Sequence, residues 1–373
     1  MDLRGALSPF VDSGRIPGLV AVLARGDAVE VVVLGTQGTS GTPMRRDSIF
    51  RGASITKPVT AALTMVLVDD GVLDLDEPVA RLLPELAEPR VLRTPTSDLD
   101  DTVACERPIT TRHLLTGTSG HGFATVESPV VPVLVEQLHQ GSMLIGDVPA
   151  PDEWMRRLSA IPLMHQPGDG WTYNASFDTL GVLLARAGGQ PLADLMAERL
   201  LQPLGMVDTG FHVPHDRLDR FTTLYDHESG QLRVTDEPDG EFTVAPAFAS
   251  AAGGLLTTAD DWLAFGRMLL AEGGSLLSPG SVRQIMSDQV TAEHRRMGGS
   301  FLDGQGWGFG GGVDTEVIER WNVVGRYGWV GGTGTSAYVH PDDGVVAVLL
   351  TQVGLGGSAL EALQAFWKAS ATA

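Results

Sequence analysis

"RGASITKPVTAAL", Arg51 to Leu63, is the stretch on which the fold turns. Of the 26 basic residues in the chain only two are lysines, Lys57 and Lys368, and Lys57 stands three residues after Ser54 and directly before Pro58. Proline lacks a backbone N–H and is accommodated in a helix only in its first turn. Pro58 therefore predicts a helix beginning near Ala53 or Ser54, with Ser54 at the N-terminus, where partial positive charge favours a developing oxyanion. Residues three apart share a helical face, so the Lys57 amine is expected one turn above the Ser54 hydroxyl. A serine hydroxyl is a weak nucleophile until a neighbouring base takes its proton. Lysine can be that base when burial lowers its pKa, whereas arginine cannot lose its proton. The adjoining "VTAALTMVLV" is apolar enough to bury the amine. The plainer alternative is a helix-capping serine followed by a solvated lysine.

The bulk properties narrow the setting. At 373 residues, with 43% hydrophobic and 19% charged residues, the chain fits one large globular domain or two closely packed ones. A formal net charge of −20 opposes nucleic acid and anionic membrane surfaces as partners. No apolar run reaches the 18 or so residues that span a bilayer. The opening "MDLRGALSPFVDSGRIPG" lacks the basic start and continuous apolar block of a signal peptide, which predicts a cytoplasmic protein. One cysteine, Cys105, leaves no internal disulfide and is expected to be a plain core or surface thiol. No metal or other cofactor is expected.

Along the chain the β-rich runs Leu19–Ala24 and Val29–Leu34 flank "RGDA" and predict a hairpin. Apolar-faced helices closed by glycine follow in "PVTAALTMVLVDDG", "FDTLGVLLARAGG", "PLADLMAERLLQPLG" and "TADDWLAFGRMLLAEGG". Strand signals return after about residue 300, and a last helix is expected over 358–370. The pattern predicts a mixed α+β protein: an antiparallel sheet from residues 1–55 and 295–373, flanked by terminal helices, with a mainly helical insertion over 56–294 and the site in the cleft between them.

At this point "RRDSIFRGASITKPVTAALTMVLVDDGVLDLDEPVARLLPEL" resembles the opening of the serine β-lactamase and penicillin-binding-protein superfamily. The chain is most similar to class C β-lactamases and family VIII carboxylesterases, with further landmarks in "ITTRHLLTGTSG", "PLGMVDTGFHVP" and "AAGGLLTTADDWLAFGRMLL". The resemblance runs from about Ile16 to Gln352 and implies the β-lactamase/DD-peptidase-like fold. It also implies three motifs. The first supplies Ser54 and Lys57. The second, usually Tyr-x-Asn, corresponds to Tyr173, with Ala175 where the asparagine is expected; Asn174 either caps the next helix or orients groups in the site. A phenol can relay a proton when neighbouring cations such as Lys57 favour its phenolate.

The third motif, usually Lys-Thr-Gly, is replaced by Trp329-Val330-Gly331, as in family VIII esterases. An indole offers an apolar wall and one N–H donor without positive charge. An anionic β-lactam loses its counter-ion there, and a neutral acyl ester does not. Arg326, three residues away along a strand, is expected on the opposite face. The same resemblance implies an oxyanion hole from the backbone N–H groups of Ser54 and Gly332, with Gly332 suited to close backbone approach.

Other patterns are set aside. "GWGFGGG" is not followed by a helix, so it does not read as a phosphate cradle. The proline in "HVPH", His212 to His215, breaks any helical presentation of a metal pair, and His113 reads as structural. No G-x-S-x-G is present, which disfavours an α/β-hydrolase triad. The expected function is a serine carboxylesterase, or acyltransferase, acting on small neutral acyl esters through an acyl-enzyme on Ser54. The alternatives are a β-lactamase or D-amino-acid peptidase with the same machinery, and a non-enzymatic ligand-binding scaffold.

Overall fold

The computed structural model describes residues 2–228 and 230–372. Its organising element is a seven-stranded antiparallel sheet built from both ends of the chain. We number its strands β1 (Gly18–Arg25), β2 (Ala28–Gly35), β3 (Gln305–Trp307), β4 (Gly312–Asp314), β5 (Tyr327–Gly331), β6 (Thr335–His340) and β7 (Val345–Thr351), in the spatial order β2-β1-β7-β6-β5-β4-β3. β1 and β2 form the expected hairpin, Arg25 facing Ala28, and β1 also pairs with β7, Leu19 facing Thr351.

β1 and β7 are covered on both faces, which is why both read as unbroken apolar runs. Leu19, Ala21 and Leu23 of β1 and Val345, Ala347 and Leu349 of β7 meet the terminal helices α1 (Leu3–Asp12) and α7 (Gly357–Thr372). The alternate residues Val20, Val22, Val346, Val348 and Leu350 turn the other way, into the main core. A one-residue slip of register would exchange the two sets.

The main core is shared with the helical region. α2 (Thr56–Asp69) runs through it and is buried on every face from Thr56 to Leu67, with Lys57, Thr60 and Thr64 as a hydrogen-bonded polar stripe. Around it lie α3 (Val130–Leu138), α4 (Pro151–Ser159), α5 (Ala175–Gly188) and α6 (Ala259–Leu270). The glycine-rich "GWGFGGG" is the β3–β4 connection, and it has a packing purpose. A Cβ on Gly310 (φ +79°) would lie 2.5 Å from the Lys57 carbonyl oxygen, so glycine lets this hairpin close against the start of α2. No helix among the described residues is long and apolar enough to cross a membrane.

Candidate active site

Ser54 lies in the single 3-10 turn Ala53–Ile55 that leads into α2. The residue before it, Ala53, has φ +48°, a left-handed conformation that costs a non-glycine residue about 1–3 kcal/mol. Several hydrogen bonds hold that turn in place. Gly52 N–H donates to the Leu255 carbonyl at 2.8 Å, and the Thr56 hydroxyl donates to the Ala53 carbonyl at 2.7 Å. From the sheet, the Thr335 and Thr333 hydroxyls donate to the carbonyls of Gly52 at 2.7 Å and Arg51 at 2.6 Å. These two bonds fix the β5–β6 turn, and with it Gly332, against the Ser54 turn. Ser54 and Gly332 line the same cavity.

The glycine demanded by close approach is Gly331, a correction to the expectation placed on Gly332. A Cβ at Gly331 would lie 2.4 Å from the Gly52 carbonyl oxygen, whereas one at Gly332 would meet nothing within 4 Å. The end of β5 meets the Ser54 turn one residue before Gly332, which lines the cavity.

Lys57 is completely buried. Its Nζ lies 2.9 Å from Ser54 Oγ, 2.8 Å from Asn174 Oδ1 and 2.7 Å from the Ala252 carbonyl oxygen. Burial lowers its pKa to about 7, against the raising effect of the Asp178 carboxylate. Three polar neighbours suit either protonation state. The ammonium donates to all three. The neutral amine donates its two hydrogens to Asn174 and Ala252 and turns its lone pair to the Ser54 hydroxyl, the arrangement a general base requires.

Asn174 is the first residue of the α5 turn and, at φ +85°, is another strained non-glycine position. Its side chain caps nothing. It orients groups instead, accepting from Lys57 and donating from Nδ2 to Gln140 Oε1 at 2.9 Å. Gln140 Nε2 donates to Asp178 Oδ2 at 2.6 Å, and Asp178 Oδ1 accepts from Ser250 Oγ at 2.7 Å and from Ala252 N–H at 3.0 Å. The Ala252 carbonyl returns to Lys57, closing a ring of side chains and one peptide around the amine. Burial pushes the Asp178 carboxyl up, opposed by its hydrogen bonds and by Lys57.

Tyr173 completes the cluster. The Lys57 ammonium sits 4.5 Å from its ring centroid, and Phe301 stacks on the ring at 4.8 Å. Burial drives its pKa up to about 12, although hydrogen bonds with Ser54 and Trp329 pull it partway down. The phenol is thus protonated at neutral pH, where the sequence reading looked to a phenolate favoured by Lys57. Desolvation outweighs the cation. Trp329 is buried and stands edge-on to Trp307 at 4.7 Å. Its one N–H donates to the Tyr173 hydroxyl at 2.7 Å.

Arg326 lies on the far side of the sheet. It is paired with Asp314 at 2.9 Å and stacked 4.3 Å from the Tyr338 ring centroid. It lends no charge to the Ser54 cavity. That cavity, of about 120 Å³, is walled by Leu138, Met143, Leu144, Ile145, Val148 and Phe248. Arg51 borders it but is buried and committed to Asp236 and to the Thr222 carbonyl. The wall segment around Leu144 is anchored by Glu241, which accepts from the N–H groups of Ile145 at 2.8 Å and Gly146 at 3.0 Å.

The family profile described as Beta-lactamase matches residues 3–366. The chain belongs to the Beta-lactamase family. Within it, the chain is 36% identical over 363 residues to Protein Rv1367c of Mycobacterium tuberculosis, covering 94% of this chain and 89% of that protein. It is 33% identical over 368 residues to Esterase EstB of Burkholderia gladioli, covering 92% and 88%. Among solved structures it is similar to EstCE1, described as a hydrolase with promiscuous acyltransferase activity. That match has a TM-score of 0.81 and 26% identity, and it covers 98% of this chain and 97% of that one. The β-lactamase-like α+β fold expected from "RGASITKPVTAAL" is therefore the fold of the chain.

The sequence-selected Ser54, Lys57, Tyr173, Asn174 and Trp329 converge in space. Gln140, Asp178 and the Ala252 peptide escaped the reading. Asp178 carried one signal, a lone acid in the otherwise apolar helix "ASFDTLGVLL", four residues after Asn174. Gln140 lies in a segment without periodicity and carried none.

Proposed function

We propose that the protein is a serine carboxylesterase that also transfers acyl groups to alcohols, acting on esters with small neutral acyl chains. The observation that carries this reading is the 2.9 Å contact between Ser54 Oγ and the buried Lys57 Nζ, an amine whose pKa of about 7 leaves about half of it neutral at pH 7. The neutral amine takes the Ser54 proton as Oγ attacks the ester carbonyl carbon. The carbonyl oxygen gains the negative charge, and the backbone N–H groups of Ser54 and Gly332, two residues that line this cavity, are the donors assigned to it. Collapse of the tetrahedral intermediate breaks the bond to the leaving alkoxide. Tyr173, a protonated phenol, gives the alcohol its proton and regains one from the Lys57 ammonium, which returns both groups to their starting states. Water then attacks the acyl-enzyme and releases the acid. An alcohol in place of water gives transfer.

Substrate class follows from charge. The cavity wall carries the apolar side chains of Leu138, Met143, Leu144, Ile145, Val148 and Phe248 beside polar ones, and Arg51, the arginine bordering it, is neutralised by Asp236. Trp329 stands where a cationic third motif would hold a carboxylate, and its one donor is engaged by Tyr173. A neutral acyl group is accommodated, and an anionic one finds no free cation among these residues.

The test compares initial rates on p-nitrophenyl butyrate and on a chromogenic cephalosporin for wild type and Ser54→Ala, with the acyl-enzyme sought by intact-protein mass spectrometry. Ser54-dependent ester turnover, falling by about three orders of magnitude or more in Ser54→Ala, supports the reading. Faster Ser54-dependent opening of the cephalosporin would replace it with the β-lactamase alternative.

A further inference from the structure

The ring around Lys57 contains a buried carboxylate to which the mechanism above gives no task. Asp178 is only 4% exposed, and its oxygens are fully engaged: Oδ2 by Gln140, Oδ1 by Ser250 and the Ala252 N–H. An ionised carboxylate accepts hydrogen bonds and donates none, so it dictates the direction of every bond it makes. Gln140 must turn its NH2 to Asp178, which leaves Gln140 Oε1 facing Asn174. Asn174 must then turn its own NH2 to Gln140, which leaves Oδ1 facing Lys57. On the other side Asp178 holds the Ala252 peptide by its N–H, so the carbonyl of the same residue points at Lys57. Both acceptors presented to the amine are aligned from one carboxylate.

We propose that Asp178 is the positioning residue of the catalytic base: through Gln140 and Asn174, and through the Ala252 peptide, it orients the acceptors that hold Lys57 and supplies the negative charge that faces it. The proposal rests on the reading of Lys57 as the base. The Asp178 oxygens bond to Gln140, Ser250 and the Ala252 N–H and not to Ser54, so its effect on the nucleophile passes through Lys57. The titratable groups facing Lys57 are Asp178, from α5, and the Tyr173 phenol, from the loop before it; Ser54, Asn174 and the Ala252 carbonyl are its uncharged partners.

Asp178→Asn separates this from a merely structural role. The new amide keeps one oxygen for Ser250 and the Ala252 N–H but turns an NH2 toward Gln140. Two NH2 groups cannot bond, so Gln140 turns over, Asn174 follows, and Lys57 meets an NH2 in place of an oxygen. That environment tolerates the neutral amine and repels the ammonium, and loss of the carboxylate charge acts in the same direction. The Lys57 pKa therefore falls further.

Because the chain holds only two lysines, protein made with 13Cε-labelled lysine gives two side-chain signals, Lys57 and Lys368, and the first can be titrated directly. The expected result is a Lys57 midpoint lower by about one pH unit or more in Asp178→Asn, with Lys368 unmoved and the acid limb of kcat/KM displaced equally. Gln140→Leu breaks the relay from Asp178 to Asn174 while keeping the carboxylate, so Asn174 Oδ1 is no longer held toward the amine and Lys57 should move the same way by a smaller amount. This variant decides the matter alone should Asp178→Asn fail to fold. A Lys57 midpoint unchanged or raised in a folded variant overturns the proposal. Failure of the base assignment looks different: the wild-type acid limb would then not coincide with the Lys57 titration, whatever the variants do.

Discussion

The Trp329 indole donates its N–H to the Tyr173 hydroxyl at 2.7 Å, which makes the third-motif residue a partner of the proposed proton donor. A donor aimed at the phenol oxygen stabilises phenolate, and Trp329 is one of the two groups that pull the Tyr173 pKa down from where burial would leave it. Trp329→Phe keeps an aromatic body against Trp307 and removes that donor. The phenol becomes a weaker acid, so kcat on an alkyl ester such as ethyl butyrate, whose alkoxide needs that proton to leave, should fall about tenfold with KM changed less than about twofold. Tyr173→Phe, which removes the proton donor outright, should cost about a hundredfold or more in kcat. A Trp329→Phe effect confined to KM would return Trp329 to the role of a substrate wall.

Activity should rise with pH through about 7. The folded-state pKa of Lys57 is depressed, so the amine is protonated and inactive as a base below that value and neutral above it. The kcat/KM profile is expected to show an acid limb with a midpoint near 7 and slope one. Burial holds the phenol protonated up to about 12, so no loss from its ionisation should appear below about pH 10. A profile measured from pH 5 to 10, corrected for spontaneous ester hydrolysis, checks both statements. A midpoint near 10 would mean that Lys57 is solvated in the free enzyme.

Gly331 and Gly332 should respond oppositely to a methyl group. Gly331→Ala drives a Cβ against the Gly52 carbonyl and the Thr335 hydroxyl, the contacts that seat the Ser54 turn on the sheet. Loss of activity by about a hundredfold or more, with a lowered melting temperature, is expected. Gly332→Ala adds its Cβ to open space and should retain wild-type stability. Thermal unfolding and initial rates of the two variants, side by side, settle the contrast.

Much of this site was legible because its chemistry is local. Ser54, Lys57 and Pro58 are tied by helical geometry, and one turn of helix carries that relationship without any tertiary knowledge. The sheet was legible for a related reason: β1 and β7 are buried on both faces, so each is a continuous apolar run that periodicity rules recognise. Gln140 was illegible because its place beside Asp178 and Asn174 is made by a segment with no repeat to read. The donor role of Trp329 was hidden for another reason. Sequence shows that an indole replaces a cation, and only the fold shows where its single N–H points. The misplaced glycine is a matter of one residue along a strand end, finer than turn signals resolve.

Acyl-chain preference should be set by the segment that Glu241 anchors. Leu144 is half-buried in the wall of a cavity of about 120 Å³, large enough for a short chain and small enough for one side chain to fill. Leu144→Trp adds bulk from a loop position outside the core, so the core should be undisturbed while the far end of the cavity closes. A methylene in an apolar pocket is worth about 1–3 kcal/mol in discrimination. Losing room for the two outer carbons of a butyryl group should thus lower the butyrate-to-acetate ratio of kcat/KM by about tenfold or more. Acetate itself should be hydrolysed within about threefold of the wild-type rate, because Ser54, Lys57 and Tyr173 are untouched. Measurement of kcat/KM on p-nitrophenyl acetate, butyrate and hexanoate gives the ratio directly. An unchanged ratio would place the acyl chain outside this cavity, in the open mouth of the cleft.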